Sequence, residues 1–315
     1  MSSTAMSKTM DPCIFCRDSQ IQVLFSPGVI EGHVAVLRCQ KCGLVYLESR
    51  AGETGLDPEE TAYWDNADQK KVYLQEKIQE TFAREFEARL TSIERYYPAK
   101  GRLLDVGCGV GHFLSAASKR GWQTIGLDIA NAASQAAKET YGLDVTVGTL
   151  ETIPVPEQSL DVVTLWDVIE HIRRPVENIA AVNRLLKTGG LVVMKTPDES
   201  SLYKWFARTA YRLLGNKARF LVNYVYYVPH YFAYNRGTIS RLLKECGFEV
   251  LGFEMDRTPV EFAAEKINIH YKKDKWKKLV IALLPLADAC ARILGKGNKM
   301  TVYARKVSDR ERRQS

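Results

Sequence analysis

Between residues 102 and 197, short apolar segments alternate with segments of helical periodicity, and this alternation constrains the fold more than any other feature. The apolar segments begin with RLLDV and end with LVVMKTP, and the intervening stretches include HFLSAASK. Strands that are joined by helices form a parallel sheet, and ligands bind at the carboxyl ends of its strands. The alternation therefore predicts an α/β fold with a ligand site along one edge of the sheet.

The composition is that of a globular protein. The chain has 315 residues, 46% hydrophobic and 26% charged, which excludes a disordered or collagen-like chain. Its net charge of +7 suits an anionic ligand, a membrane surface or nucleic acid and selects none of them. The first 12 residues lack the apolar segment of a signal peptide, and the apolar stretch 279–294 is interrupted by Pro285, Asp288 and Arg292. We expect a cytoplasmic protein without a membrane-spanning helix.

The cysteines predict a metal site near the N-terminus. Four of the seven form two Cys-x-x-Cys pairs: Cys13, Cys16, Cys39 and Cys42. Two residues between paired cysteines let both thiolates bind one ion, and a second pair completes a tetrahedral site. In a reducing compartment this pattern favours structural zinc over disulfides or redox-active thiols. The segments IQVLF and HVAVLRC have strand character, so residues 1–50 are predicted to form a small zinc ribbon with no open metal position.

Residues 51–97 are predicted to be a turn-rich, acidic linker followed by a long helix. Apolar residues recur there at steps of four and three: Ile78, Phe82, Phe86, Leu90 and Ile93. That spacing describes one apolar face of a helix. We expect the α/β domain to follow over residues 98–310.

A glycine-rich loop follows the first strand of the α/β pattern. Glycines at residues 107, 109 and 111 let the backbone approach a ligand where the next helix offers free N–H groups. The spacing is G-x-G-x-G and not the G-x-G-x-x-G of pyrophosphate binders. Asp105 lies two residues before the loop, and Asp128 ends the second strand, where a carboxylate can bind the two hydroxyls of a ribose.

The segments LLDVGCGVGHF and GLDIA resemble the signature of class I S-adenosylmethionine-dependent methyltransferases. Later segments match later elements of that family in order: DVVTLWDVIEHI, LLKTGGLVVMKTP, ISRLLKECGF and MTVYARK. The resemblance covers residues 98–306 in segments. It implies a seven-stranded Rossmann-like sheet with S-adenosylmethionine as cofactor, and places helical insertions at 199–229 and 259–298.

The resemblance also implies which residues bind the cofactor: Asp105, Gly107, Cys108, Gly109, Gly111, Asp128, Ile129, Thr149, Leu150 and Trp166. Asp105 and the loop would hold the methionine end. Asp128 would bind the ribose, with Ile129 packed on adenine. Thr149 departs from the family pattern, which has an adenine-contacting Asp there.

Three residues after the segment SLDVVTLW, which is predicted to be the fourth strand of the pattern, are candidates for the chemistry. Asp167, Glu170 and His171 are spaced i, i+3 and i+4 and would share one face of a helical turn. His171 could act as a base oriented by either carboxylate, or the three could bind a divalent cation, as in the ubiquinone-pathway O-methyltransferases that this segment resembles. Alternatively, His171 only packs the loop. His230 is expected to face the acceptor pocket.

The two insertions are expected to define the acceptor. The first is rich in aromatic residues, which form either core or acceptor pocket. In the second, lysines surround Trp276 ahead of an apolar helix. Residues 272–294 therefore form either a solvated charged surface or a peripheral membrane anchor.

The predicted function is methyl transfer to oxygen or carbon of a small-molecule or lipid-linked acceptor. One alternative is an RNA or protein methyltransferase that grips its polymer with the ribbon. Nucleic acid is not favoured, since the fourth strand ends in WDVIEHI and not in the Asn/Asp-Pro-Pro-aromatic loop of amino-methylating enzymes. A second alternative is a non-catalytic, cofactor-binding regulator. The sequence predicts no particular oligomeric state.

Overall fold

A computed structural model describes residues 12–30, 34–48, 75–226, 230–270 and 275–309. The strands are β1 (Ile21–Phe25), β2 (Val36–Cys39), β3 (Val45–Leu47), β4 (Arg102–Val106), β5 (Gln123–Asp128), β6 (Val145–Val147), β7 (Leu160–Trp166), β8 (Leu186–Pro197), β9 (Phe232–Ala233), β10 (Phe248–Asp256) and β11 (Lys299–Lys306). The helices are α1 (Glu76–Tyr96), α2 (His112–Lys119), α3 (Asn131–Tyr141), α4 (Pro175–Leu185), α5 (Leu202–Leu214), α6 (Arg219–Val225), α7 (Arg236–Glu245), α8 (Val260–His270) and α9 (Lys277–Ile293). The linker predicted before residue 75 lies outside these ranges.

The larger sheet has seven strands in the order β10-β11-β8-β7-β4-β5-β6. Strands β4 to β8 pair in parallel, whereas β11 runs antiparallel to both of its neighbours. This architecture confirms the predicted α/β fold. The reversal of strand order beside β4 brings the ends of β4, β5 and β7 together at the edge where ligands bind.

Both faces of this sheet are covered. Alternate side chains of β4 point to opposite faces, so Leu103 joins one apolar cluster and Leu104 the other. The first cluster contains Phe113 and Leu114 of α2, and the second contains Ile179 of α4. Strands buried on both faces explain why their sequences read as apolar runs.

Helix α1 packs on the large sheet and on α2. Its predicted apolar face is confirmed from Phe86 onward: Leu90 and Ile93 are fully buried, and Phe86 lies 5.3 Å from Phe113, centroid to centroid. Arg89 on the same helix pairs with carboxylates of β10. The side chain of Ile78 lies outside the described residues.

The ribbon is a four-stranded antiparallel sheet in the order β1-β2-β3-β9. The two strands predicted in IQVLF and HVAVLRC are confirmed as β1 and β2, which pair antiparallel. Its last strand, β9, comes from residues that follow the first insertion. Ribbon side chains such as Phe15 and Tyr46 share one apolar cluster with Tyr231 and with Leu104 of the large sheet.

The two insertions are helical, as expected. The first contains α5 and α6 and the second contains α8 and α9. They contact each other where the rings of Phe220 and Trp276 stack with centroids 4.8 Å apart. Within the described ranges, none of the helices is long and apolar enough to span a membrane.

Candidate active site

A cavity of about 1170 Å³ runs along the carboxyl edge of the large sheet. The glycine loop, the end of β5 and residues 148–151 line one end of it. The other end lies beneath the insertions and is lined by His171, His230 and apolar side chains of α5, α8 and α9. One continuous space therefore joins the predicted cofactor site to the predicted acceptor site.

The three loop glycines are required for different reasons. All three have positive φ, which disfavours other residues. A Cβ on Gly107 would lie 2.4 Å from Val168, and one on Gly111 would lie 2.5 Å from Leu143, so close packing requires these two. A Cβ on Gly109 would meet nothing within 4 Å. Gly109 is therefore the position where the loop is open to a ligand.

Asp128 is fixed by the backbone at the end of β5. Its Oδ2 accepts a hydrogen bond from the Gly109 N–H at 2.7 Å, and its Oδ1 accepts one from the Ala130 N–H at 2.8 Å. Each carboxylate oxygen can accept a further hydrogen bond. The carboxylate thus shapes the loop and can still accept from the two hydroxyls of a ribose.

Asp105 is buried next to this site, with 1% of its surface exposed. Thr164 Oγ1 donates a hydrogen bond to its Oδ1 at 2.7 Å. Burial, and then the nearby charge of Asp128, hold the pKa of Asp105 well above its usual range. A cationic ligand would favour the ionised form, so this carboxyl group suits the ammonium and sulfonium of the expected cofactor.

The remaining predicted cofactor residues line the same end of the cavity: Cys108, Ile129, Thr149, Leu150 and Trp166. Trp166 packs against Phe113 and Phe86, with centroids 4.9 and 5.8 Å away. Its indole N–H is buried without a hydrogen-bond partner among the described residues. Glu151, which was not predicted from the sequence, also lines this end.

The structure corrects the grouping of Asp167 with Glu170 and His171. Asp167 has a φ of +58°, and a 3-10 turn rather than an α-helix covers residues 169–171. The Asp167 carboxylate lies 2.7 Å from Lys299 Nζ and 3.5 Å from Lys195 Nζ. Asp167 therefore forms ion pairs with these lysines, and it does not belong to the cluster of possible metal ligands that contains Glu170 and His171.

His230, and not Asp167, lies beside Glu170 and His171. The rings of His171 and His230 meet edge to face with centroids 4.7 Å apart. Ligand atoms of Glu170, His171 and His230 all lie within 4.8 Å of one another, a spacing that can hold a metal ion. Burial lowers the pKa of His230 well below its usual range, so its imidazole is neutral near pH 7.

Glu170 is buried at the base of this group, with 1% of its surface exposed. Thr196 Oγ1 donates a hydrogen bond to its Oε2 at 2.9 Å, and its Oε1 has no partner among the described residues. Burial, and then the charge of Asp167, raise the pKa of Glu170 to about 8. This environment allows the carboxyl group to be protonated near neutral pH.

Two lysines of the site, Lys195 and Lys299, were not predicted from the sequence. Lys195 Nζ lies 2.6 Å from Glu85 Oε1 of α1, and both residues line the cavity. The available signal was one charged residue inside the apolar segment LVVMKTP. Lys299, at the start of β11, carried no comparable signal.

The four ribbon cysteines form a second cluster. Their sulfur atoms lie within 4.8 Å of one another, with Cys13–Cys42 at 3.5 Å and Cys16–Cys39 at 3.4 Å. Four thiolates at about 2.3 Å from a tetrahedral zinc ion would lie about 3.8 Å apart, so the cluster fits that ion. The hydrogen bond from Cys42 lowers the pKa of Cys13 to about 5, which favours a thiolate there.

Comparison with known proteins identifies the relatives of this architecture. A family model described as a methyltransferase domain matches residues 73–252. The chain is 31% identical over 167 residues to the ubiquinone biosynthesis O-methyltransferase of Roseobacter denitrificans, which covers 47% of this chain and 66% of that protein. It is 36% identical over 120 residues to the enzyme of the same name from Saccharophagus degradans, covering 36% and 51%. These matches span between about half and two thirds of the relatives' length.

A solved structure shares the fold. A Bacillus halodurans protein, provisionally assigned as a methyltransferase, superimposes with a TM-score of 0.51 and 16% identity. The alignment covers 70% of this chain and all of that one. The ribbon cysteines lie before the range that the family model matches.

Proposed function

We propose that this chain, which belongs to the class I S-adenosylmethionine-dependent methyltransferases, methylates a hydroxyl group of a small-molecule or lipid-linked acceptor. Relatives named as ubiquinone biosynthesis O-methyltransferases support transfer to oxygen. The observation that carries the proposal is the single cavity that joins the glycine loop to the His171–His230 pair.

The cofactor end of the cavity binds S-adenosylmethionine and aligns its methyl group with the acceptor. When bound, S-adenosylmethionine supplies an electrophilic methyl group on a sulfonium. Asp105 and the open backbone at Gly109 hold its methionine end, and Asp128 accepts hydrogen bonds from its ribose. Thr149 and Leu150 border the adenine. In-line displacement depends mainly on such alignment of the two reacting atoms.

The acceptor end removes the proton of the hydroxyl group. His171 and His230 are partly buried imidazoles at the cavity surface, and either can accept a proton when neutral. The buried carboxyl group of Glu170 lies within 4.8 Å of both imidazoles. In the alternative version, Glu170, His171 and His230 bind a divalent cation that lowers the pKa of the acceptor hydroxyl. Asp167 contributes by orienting Lys299 and Lys195 beside this group.

The His171→Ala variant tests this assignment. It should fold and bind S-adenosylhomocysteine as wild type does, since the cofactor end is unchanged. Turnover with a phenolic or catecholic acceptor should fall by about 10²–10⁴-fold, the usual contribution of a general base. Turnover within a few-fold of wild type would remove His171 from the mechanism and transfer the role to His230.

A chelator separates the two versions of the acceptor end. EDTA should abolish turnover if a divalent cation activates the hydroxyl group and leave it unchanged if His171 is a simple base. The zinc content of the ribbon must be measured in the same samples. Loss of activity together with ribbon zinc would point to the ribbon and not to the acceptor site.

In the ribbon, Cys13, Cys16, Cys39 and Cys42 bind one structural zinc ion. The sulfur spacing and the buried positions of Cys13 and Cys39 support this assignment. Four thiolates leave no position for substrate or water. The metal therefore has no chemical step in methyl transfer.

Of the predicted anchor 272–294, residues 272–274 lie outside the described ranges, and residues 275–294 lie at the membrane surface in this proposal, which suits a lipid-linked acceptor. Large apolar side chains of α9 are exposed, including 62% of Leu286 and 85% of Ile293, and Lys277 and Lys278 precede them. Apolar side chains beside lysines are typical of helices that bind anionic interfaces. Co-sedimentation with anionic vesicles should be lost in a Leu286→Glu/Ile293→Glu variant; an unchanged bound fraction would exclude this surface.

A further inference from the structure

The cysteine ribbon and the acceptor end of the cavity share a sheet. Strand β9 pairs antiparallel with β3, with Phe232 opposite Tyr46. The Leu47 N–H donates a hydrogen bond to the Tyr231 carbonyl at 3.0 Å. His230 precedes this pairing directly, so the edge of the ribbon fixes the backbone that presents the imidazole.

A side chain from the metal-binding turn packs on the same segment. Phe15 lies between Cys13 and Cys16 and is buried. Its ring stacks on that of Phe232 and lies near that of Tyr234, with both centroids 6.3 Å away. The first Cys-x-x-Cys turn therefore contacts residues two and four positions after His230.

On the side away from the ribbon, residues 231–234 form hydrogen bonds with loops that follow strands β7 and β8 of the large sheet. The Glu199 N–H donates to the Tyr234 carbonyl at 2.7 Å, and Arg173 donates to the Tyr231 hydroxyl at 3.2 Å. Residues 231–234 thus lie between the ribbon and the chain that follows β8. Removal of either side would remove contacts that hold the backbone next to His230, whereas the position of His171 is set by the turn after β7.

We propose that the ribbon is a positioning element for the acceptor site, in which Phe15 and the β3 edge hold His230 against His171. The cysteines and strands β1 to β3 of the ribbon precede residues 73–252, the range of the family match, whereas β9 lies within it, so the contacts made by the N-terminal part are an addition to the family's domain. The inference rests on the proposed function for its catalytic meaning, although the contacts themselves do not. It also explains why the ribbon shares an apolar cluster with the large sheet.

The test uses the full chain with its metal bound and the variant Phe15→Ala, which removes the ring and keeps all four cysteines. Hydrogen exchange at the Leu47 amide and over 230–235 should accelerate by about tenfold or more, since their shared pairing is weakened. The ring signals of His171 and His230 should shift in carbon–proton spectra, and that of His112, at the cofactor end, should not. Affinity for S-adenosylhomocysteine should stay within about twofold.

Two further variants keep the result interpretable. Phe15→Leu retains an apolar contact and should show a smaller effect, and it replaces Phe15→Ala if that protein loses zinc. Val23→Ala is the matched control, because Val23 lies on the exposed side of β1. Unchanged exchange and unchanged histidine signals in a zinc-loaded Phe15 variant would overturn the proposal.

Activity provides the catalytic readout. With an acceptor that the wild type methylates, Phe15→Ala should lower kcat by about tenfold or more and leave the KM for S-adenosylmethionine unchanged. Unchanged kcat despite accelerated exchange would also contradict the positioning role. The exchange and spectral measurements need no acceptor, so a failure to observe any methyl transfer would count against the proposed function alone.

Discussion

At the scale of single residues, two buried carboxyl groups at the end of the sheet differ in their hydrogen-bond donors. Asp128 accepts two backbone hydrogen bonds, whereas Asp105 is buried with one hydroxyl donor. Burial holds the pKa of Asp105 well above its usual range, and a bound cation would favour its ionised form. Glu170, with its pKa raised to about 8, repeats the second pattern at the acceptor end.

Replacement of Asp128 by alanine should weaken S-adenosylhomocysteine binding by about tenfold to a hundredfold. Its hydrogen bonds to the ribose involve a charged acceptor, which gives them more than the usual strength, and its loss also releases the Gly109 N–H. Isothermal titration calorimetry measures the effect. Asp144→Ala, at an exposed position before β6, is the matched control and should bind normally. Equal affinity of Asp128→Ala and wild type would mean that the ribose lies elsewhere.

Replacement of Asp105 by asparagine should stabilise the cofactor-free protein increasingly as the pH rises. The pKa of Asp105 in the folded protein lies well above the ordinary value of 3.8. At a pH between 3.8 and that raised pKa, the folded protein keeps a proton on Asp105 that the unfolded chain has lost. The free energy of unfolding of wild type therefore falls with pH in that window, by at most about 1.4 kcal/mol per pH unit, and asparagine removes this dependence. Urea unfolding at about pH 5 and about pH 8 measures it. A gain that is equal at both pH values would contradict the raised pKa, and S-adenosylhomocysteine binding should weaken in the variant.

At the scale of elements, the strands and turns that depend on residues close together in the sequence could be predicted from sequence patterns. The apolar runs of β4 and β5 and the glycine spacing between them indicate a strand, a turn and a strand without reference to the rest of the chain. Strand β9 has two residues, too few to show a period, and it forms because β3 offers a free edge. The shared face of Asp167, Glu170 and His171 depended on an α-helical turn after β7, but Asp167 turns the chain with a positive φ and a 3-10 turn follows it.

The ribbon should contain about one zinc ion per chain. A Cys39→Ser/Cys42→Ser variant removes one Cys-x-x-Cys pair and should lose the metal, because two remaining thiolates cannot complete a tetrahedral site. Metal analysis of the purified proteins gives the stoichiometry. Cys290→Ser, an exposed cysteine on α9, is the control and should keep its zinc. A wild-type protein with no metal and two disulfides would overturn the assignment.

At the scale of the whole molecule, the site is assembled from distant parts of the chain. Lys195 and Glu85 are 110 positions apart, and His171 and His230 are separated by the first insertion. A single sequence carries no signal for such contacts. The predicted cofactor residues follow strands that lie close together in the sequence, whereas the acceptor end combines residues from both sides of the first insertion. The ribbon was predicted from residues 1–50 alone for the same reason, since its pairing with β9 depends on residues beyond the first insertion.

The most direct test of the whole account is methyl transfer itself. The zinc-loaded protein would be incubated with S-adenosylmethionine labelled on its methyl group and a panel of phenols, catechols and their prenylated derivatives, and the products would be analysed by mass spectrometry. We expect at least one acceptor to gain a labelled methyl ether, at a rate that depends on the presence of the enzyme. Label on nitrogen or carbon alone, or cofactor binding with no labelled product from any hydroxyl acceptor, would contradict the proposed function.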